Sequence, residues 1–256
     1  MNGIFATIKI SAQGKLNGGI FAIFAAYLLK IVYLAPMLLI WKTFAESGLD
    51  LGGFTVDTLL TYTCVSAMLG QLLNIQTGAV TWHYDGGIID LYRRPQTIFG
   101  QLITKTVGGL LPELIFFSLP IAAIMRFFGV NTIPATPLFF PCLLLSVSLG
   151  FAVDFLFTCF IIRLQNGAWM ACSIRAAVTS LLSGAVIPFA LLPFNLGGVF
   201  ALLPFGSLAA APLAVFAGAA EPLSVLPLQV FWNLILWPSA FWAFAKSREK
   251  MVSYGG

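Results

Sequence analysis

Seven stretches of this chain run for at least about 19 residues on mostly apolar side chains, long enough for a helix to cross a hydrocarbon core of roughly 30 Å. They are Gly19 to Trp41, Thr58 to Gln76, Val107 to Phe128, Pro137 to Ile162, Trp169 to Phe194, Leu196 to Ala220 and Val225 to Ala245. In 256 residues they leave no room for a soluble catalytic domain. Charge points the same way: 9% of the residues are charged, where a water-soluble domain carries roughly 25%. The expectation is a single all-α polytopic membrane domain over residues 1–256. The net charge of +4 then sorts topology or meets anionic lipid headgroups, and nucleic acid is not an expected partner.

Leu196 to Ala220 is the odd run, broken by Gly197, Gly198, Pro204, Gly206, Pro212 and Gly218. A continuous helix there would repeatedly lose hydrogen bonds or rigidity. The basic residues decide between six spans and seven. With six spans and both ends inside, Lys9, Lys15, Arg93, Arg94, Lys105, Arg163, Arg175, Lys246, Arg248 and Lys250 lie on the cytoplasmic side, and only Lys42 and Arg126 outside. Seven spans would move the C-terminal three outside, against the positive-inside bias. Six spans are expected, with 196–220 as a re-entrant pair of half-helices on the outer face, permissible only if buried in protein or lining a cavity. Residues 1–18 carry Lys9 and Lys15 before a run too long for a cleavable signal. With Ile4, Phe5, Ile8 and Leu16 roughly on one face, they suit an uncleaved interfacial helix.

The sequence excludes some chemistry. No phosphate-cradling GxxxxGK[ST] loop is present; the nearest string, around Gly14 and Lys15, lacks the first glycine and the hydroxyl residue. The single histidine, His83, lies in a loop, so no Ser and His pair can be built within the bilayer, and Asp154 lacks a facing aspartate. Cys64, Cys142, Cys159 and Cys172 are dispersed in apolar runs and read as small buried side chains, with no metal-ligand spacing. Four charges fall inside spans: Lys30, Glu113, Asp154 and Arg175. Each costs roughly 2.5 to 3.5 kcal/mol at a bilayer centre, so they either face a substrate pathway or serve as partners of one another or snorkelling side chains.

One real cytoplasmic loop remains, residues 77–106. Within it Asp85, Gly86 and Gly87 signal a turn, Ile88 to Arg94 can form a short helix, and Pro95 stops it. Ile88, Leu91 and Tyr92 would share one face for a partner groove, with Arg93 and Arg94 at an acidic rim. The alternative is an ordinary loop with topogenic arginines.

The run Asp85 to Pro95 resembles the "R-x-G-x-(hydrophobic)-x-x-x-L-x-R-P" loop of bacterial type-2 ABC exporter permeases, in the six-span subgroup related to daunorubicin-resistance membrane components. Ser183-Gly184-Ala185-Val186-Ile187-Pro188, Leu192-Pro193-Phe194, Leu203-Pro204-Phe205 and Ala211-Pro212 are similar to that group's later stretch, as are Gln229 with Trp232 and the terminal Gly255-Gly256. The chain departs from the pattern at His83 to Asp85, where the family has a basic residue, and at Tyr92, where leucine is usual. The resemblance implies a dimer of six-span subunits, homomeric or with a second similar permease, bound to two cytoplasmic ABC ATPase subunits. The 85–95 loop would be the coupling helix, and Pro188, Pro193, Pro204, Phe205 and Pro212 would belong to an outer cap. ATP and Mg would be used by the partner ATPase, with no cofactor on this chain. The implied location is the bacterial cytoplasmic membrane, with both termini inside as the basic residues indicate, and the aromatic content, with 24 phenylalanines, would suit an apolar or amphipathic cargo. A non-transporting membrane scaffold or assembly factor, and an intramembrane enzyme, are the other readings.

Overall fold

The computed structural model describes residues 2–17, 19–48, 53–79, 88–164 and 168–252, and among them it is all helix and connection, with no strand. In chain order the helices are α1 (Asn2–Leu16), α2 (Gly19–Glu46), α3 (Val56–Leu73), α4 (Ile88–Tyr92) and α5 (Ile98–Glu113). A π-helical turn (Leu114–Ser118) carries α5 into α6 (Leu119–Phe127). Then come α7 (Phe139–Leu164), α8 (Ala168–Leu182), α9 (Leu196–Leu202), α10 (Ala210–Ala217) and α11 (Pro222–Val252). Five helices are long and apolar enough to cross a membrane: Phe24–Phe44, Val56–Leu73, Ile98–Phe127, Phe139–Ile162 and Pro222–Ser247. The chain is a membrane protein, and α2 shows why most plainly: Lys30 is the one charge in its central stretch, and Leu28, Leu29, Ile31, Val32 and Leu39 are left exposed.

Two expected boundaries shift. The run Trp169 to Phe194 is helical only to Leu182, because Gly184 adopts φ +71° and Pro188 cannot continue the ladder. At 15 residues α8 rises about 22 Å, short of a full hydrocarbon core. The loop expected over 77–106 ends earlier, since α5 begins at Ile98, where the Thr97 hydroxyl accepts the Gly100 N–H at 3.2 Å as an N-cap. Lys105 and Thr106 are therefore helical, not loop.

α7 and α11 run parallel. Asn233 donates to the Leu145 carbonyl at 3.1 Å and Trp237 to the Ser148 hydroxyl at 2.9 Å, so the register advances together along both helices. Two parallel helices require the chain to travel back between them, and α8 with the segment up to Glu221 makes that return. The segment is folded into the protein. Ala210 donates to the Ser183 carbonyl at 2.8 Å, Ala135 to the Phe216 carbonyl at 3.0 Å, and Leu213, Val215 and Phe216 of α10 pack with Tyr62, Val65, Phe139 and Cys142. The 207–216 part is thus buried in protein, while Phe194, Val199 and Leu202 stay exposed.

α3 lies at the centre, with Leu59, Tyr62 and Val65 fully buried. α1 packs along α5 at glycine: a Cβ on Gly108 would lie 2.6 Å from the Ile8 carbonyl oxygen. The face turned to α5 therefore runs through Ile8, Ser11 and Lys15, while Ile4 and Phe5, expected on the same face as Ile8, are exposed. Cys64, Cys142 and Cys159 are buried as expected, but Cys172 is exposed.

Candidate functional site

The four charges within the apolar runs form two ion pairs. Asp154 on α7 pairs with Arg175 on α8, the side chains being 4% and 12% exposed. The other Asp154 oxygen accepts the Thr77 N–H at 3.0 Å and the Thr77 hydroxyl, while Arg175 also donates to the Ile75 carbonyl. This buried knot ties the end of α3 to α7 and α8. Arg175 is therefore held by neighbours, not snorkelling toward an interface.

Lys30 on α2 and Glu113 on α5 form the second pair, at 2.5 Å, with both side chains 23% exposed. The sequence dictates irregular helix around Glu113. Pro112 lies just before it, and Pro120 removes the N–H that an α-helix would offer to the Phe116 carbonyl. The π turn absorbs the mismatch, the Tyr27 hydroxyl donates to that carbonyl, and Lys30 stands 5.3 Å over the Phe117 ring.

This pair stands between two cavities. Lys30 lines a groove of about 370 Å³ between α2, α3 and α8, with Tyr33, Ser66, Asn74, Thr179 and Val186. Glu113 lines a more polar cavity of about 280 Å³ with Lys15, Gln71, Gln76, Thr77 and Lys105. The arrangement offers a mostly apolar groove on one side of an ion pair and a more polar cavity on the other.

At the other expected site, Asp85 and Gly87, with His83 and Gly86, lie outside the described residues, as do Gly255 and Gly256. Ile88 opens the short helix α4, which ends before Pro95. Leu91 corrects the expectation of a partner-facing ridge. It is 6% exposed and packs in the core with Ile98, Leu102 and Phe244, so a partner groove cannot receive it. Its carbonyl accepts the Gln101 amide at 2.9 Å, and Gln101 also donates to the Gln96 carbonyl at 2.8 Å, fixing α4 to the foot of α5. Tyr92 and Arg93 remain on the surface, Arg93 lying 3.8 Å from Asp90. Arg94 lines a cavity of about 410 Å³ with Thr7, Ser11, Gln101 and Lys105, between α1, α4 and α5.

The expected cap residues follow α8. Pro188 precedes a 3₁₀ turn (Phe189–Leu191), Pro193 opens another (Pro193–Asn195), Pro204 and Phe205 lie in the turn between α9 and α10, and Pro212 sits in the first turn of α10. Phe194 and Asn195 both take φ 58°, which reverses the chain into α9. The irregular segment begins at Ser183, earlier than residue 196. Gln229 is fully buried and donates to the Ser207 carbonyl at 2.9 Å, while Trp232 donates to the Leu202 carbonyl at 3.0 Å, so both bind this segment to α11.

Thr77, Gln101 and Asn233 escaped the sequence reading. Each is a single neutral polar residue whose importance lies in which backbone or carboxylate it meets. Only an amphipathic break at the end of an apolar run could have flagged Thr77. A scan against protein-family models and a search of curated proteins find no match to this chain.

Proposed function

We propose that this chain is the membrane-spanning permease subunit of an ATP-driven ABC exporter, moving an apolar or amphipathic substrate with ATP hydrolysed by a separate cytoplasmic ATPase. The observation that carries the reading is α4. It is a short helix at the foot of the bundle, anchored through Leu91 and the Gln101 amide to α5 and sharing a cavity with α1. A force on its exposed residues would be delivered to α1 and α5 together, and α5 leads directly to Glu113 and the two cavities. The sequence has no nucleotide-binding loop of its own, so such a device needs an external motor.

In this reading the Arg94 end of the bundle is cytoplasmic, α1 lies at the inner interface, and α8 with the 183–221 segment makes the fifth of six crossings. The parallel run of α7 and α11 supports that count, since it requires a return between them. The 183–221 segment is the outer cap, and a second copy or a similar permease completes the pathway. The location is the bacterial cytoplasmic membrane with both termini inside.

The test is copurification with an ABC ATPase whose hydrolysis depends on this chain. Arg94→Glu reverses a charge beside α4 and should abolish stimulation and transport while leaving the thermal midpoint unchanged. Full stimulation and transport with that variant would overturn the assignment of α4. A scaffold would keep its partners and stability but show no dependence of ATP turnover on α4.

A further inference from the structure

The groove between α2, α3 and α8 has one charged lining residue among those described, Lys30. Three of its hydroxyls are committed: Ser66 donates to the Ala185 carbonyl at 2.6 Å, Thr179 to the Arg175 carbonyl at 2.8 Å, and Ser180 to the Ala177 carbonyl at 3.0 Å. Lys30 is thus the charged hydrogen-bond donor among the described lining residues, set in mostly apolar walls with the neutral polar groups of Tyr33, Asn74 and Ser183, and an ammonium has three protons to give. Its partner Glu113 belongs to the neighbouring cavity, where Lys15 also lies.

Resting on the exporter reading, and taking this groove as part of its substrate path, we propose that it binds an amphipathic anion whose head takes Glu113's place on Lys30. The exchange replaces one ion pair with another, so no unpaired charge is left in the apolar groove, which is the costly outcome there. The displaced carboxylate remains beside the polar cavity and its cations. A cationic amphipath would bring like charge to Lys30 and be rejected. The volume of about 370 Å³ is at the small end of ligand pockets, suited to a head and one alkyl chain. The pair then acts as the partition between groove and polar cavity, opened by the ligand's own charge.

The experiment uses the full chain in phosphatidylcholine nanodiscs without ATPase, and measures binding of radiolabelled decanesulfonate, which stays charged at every working pH, against empty discs. Saturable binding is expected, competed by unlabelled decanesulfonate and not by decyltrimethylammonium. Glu113→Gln removes the competitor and should tighten binding by about five-fold, the scale of one partly exposed ion pair. Lys30→Met should weaken binding at least about ten-fold, and Lys30→Arg should retain it, which separates loss of charge from loss of fold. Equal competition by the cation, or weakening by Glu113→Gln as large as that by Lys30→Met, would overturn the proposal. Because no ATPase is present, failure of ATPase coupling and failure of anion binding are distinguishable.

Discussion

Removing Asp154 while leaving Arg175 in place is the sharpest test of how this bundle is held. In Asp154→Leu the Arg175 guanidinium keeps only the Ile75 carbonyl, and the Thr77 N–H and hydroxyl lose their acceptor. The Arg175 Nε is buried without a hydrogen-bond partner already, so the guanidinium has little slack. Breaking one side of a buried pair costs about 3 to 5 kcal/mol. At roughly 2 to 4 °C per kcal/mol for a chain of this size, the thermal midpoint should fall by about 6 to 20 °C. The midpoint is read by tryptophan fluorescence in detergent or nanodiscs. The decisive arm is Asp154→Leu combined with Arg175→Met. Replacing both charges by apolar groups is often neutral or better, so the double variant should return to within about 2 kcal/mol of the parent. If it melts as low as Asp154→Leu alone, the loss comes from packing or from Thr77, and the charge argument fails.

Leu91→Ala should cost about 2 to 5 kcal/mol, because the side chain is core, not ridge; a thermal midpoint unchanged from the parent would return Leu91 to the surface. Gly108→Ala places a Cβ 2.6 Å from the Ile8 carbonyl oxygen and 2.9 Å from its Cα, both backbone atoms that can yield only if α1 moves. It should cost about 1 to 3 kcal/mol and speed tryptic cleavage after Lys9 and Lys15. Gly184→Val combines a φ of +71° with a Cβ 2.8 Å from Ala210 and 2.9 Å from the Phe189 ring, so the cap should detach from α8. A lower thermal midpoint with unchanged helical circular dichroism is the expected signature, and a parental midpoint would argue against the cap contact.

Much of the fold is legible in the chain because a bilayer imposes a crude rule. Five of the seven apolar runs are full-length helices, and the broken run at 196–220 is two short helices, as its glycines and prolines require. What misled was reach along the chain. The run to Phe194 is uniformly apolar, so hydropathy gives no sign that Gly184 turns the backbone left-handed and ends α8 at Leu182. Likewise Ile98 to Thr106 is polar enough to read as loop, but Thr97 caps it and Ile98 and Leu102 are buried, so the helix starts nine residues before Val107. For α4, helical periodicity put Leu91 on a ridge with Tyr92. Periodicity groups residues on a face without saying whether that face meets a partner or the protein itself.

The sequence alone determined that this is a helical membrane protein, roughly where most of its long apolar helices fall, and that four charges within the apolar runs call for an explanation. These follow from length, hydropathy and the cost of charge in hydrocarbon, which are properties of segments. Tertiary structure alone decided the pairing: Lys30 with Glu113 and Arg175 with Asp154, each across tens of residues. It also set Leu91 inward and made Thr77 the second support of Asp154. The physical reason is that an ion pair is selected by the distance between two side chains in the packed bundle. That distance depends on helix register and on the π turn after Glu113, and neither is encoded in composition or spacing.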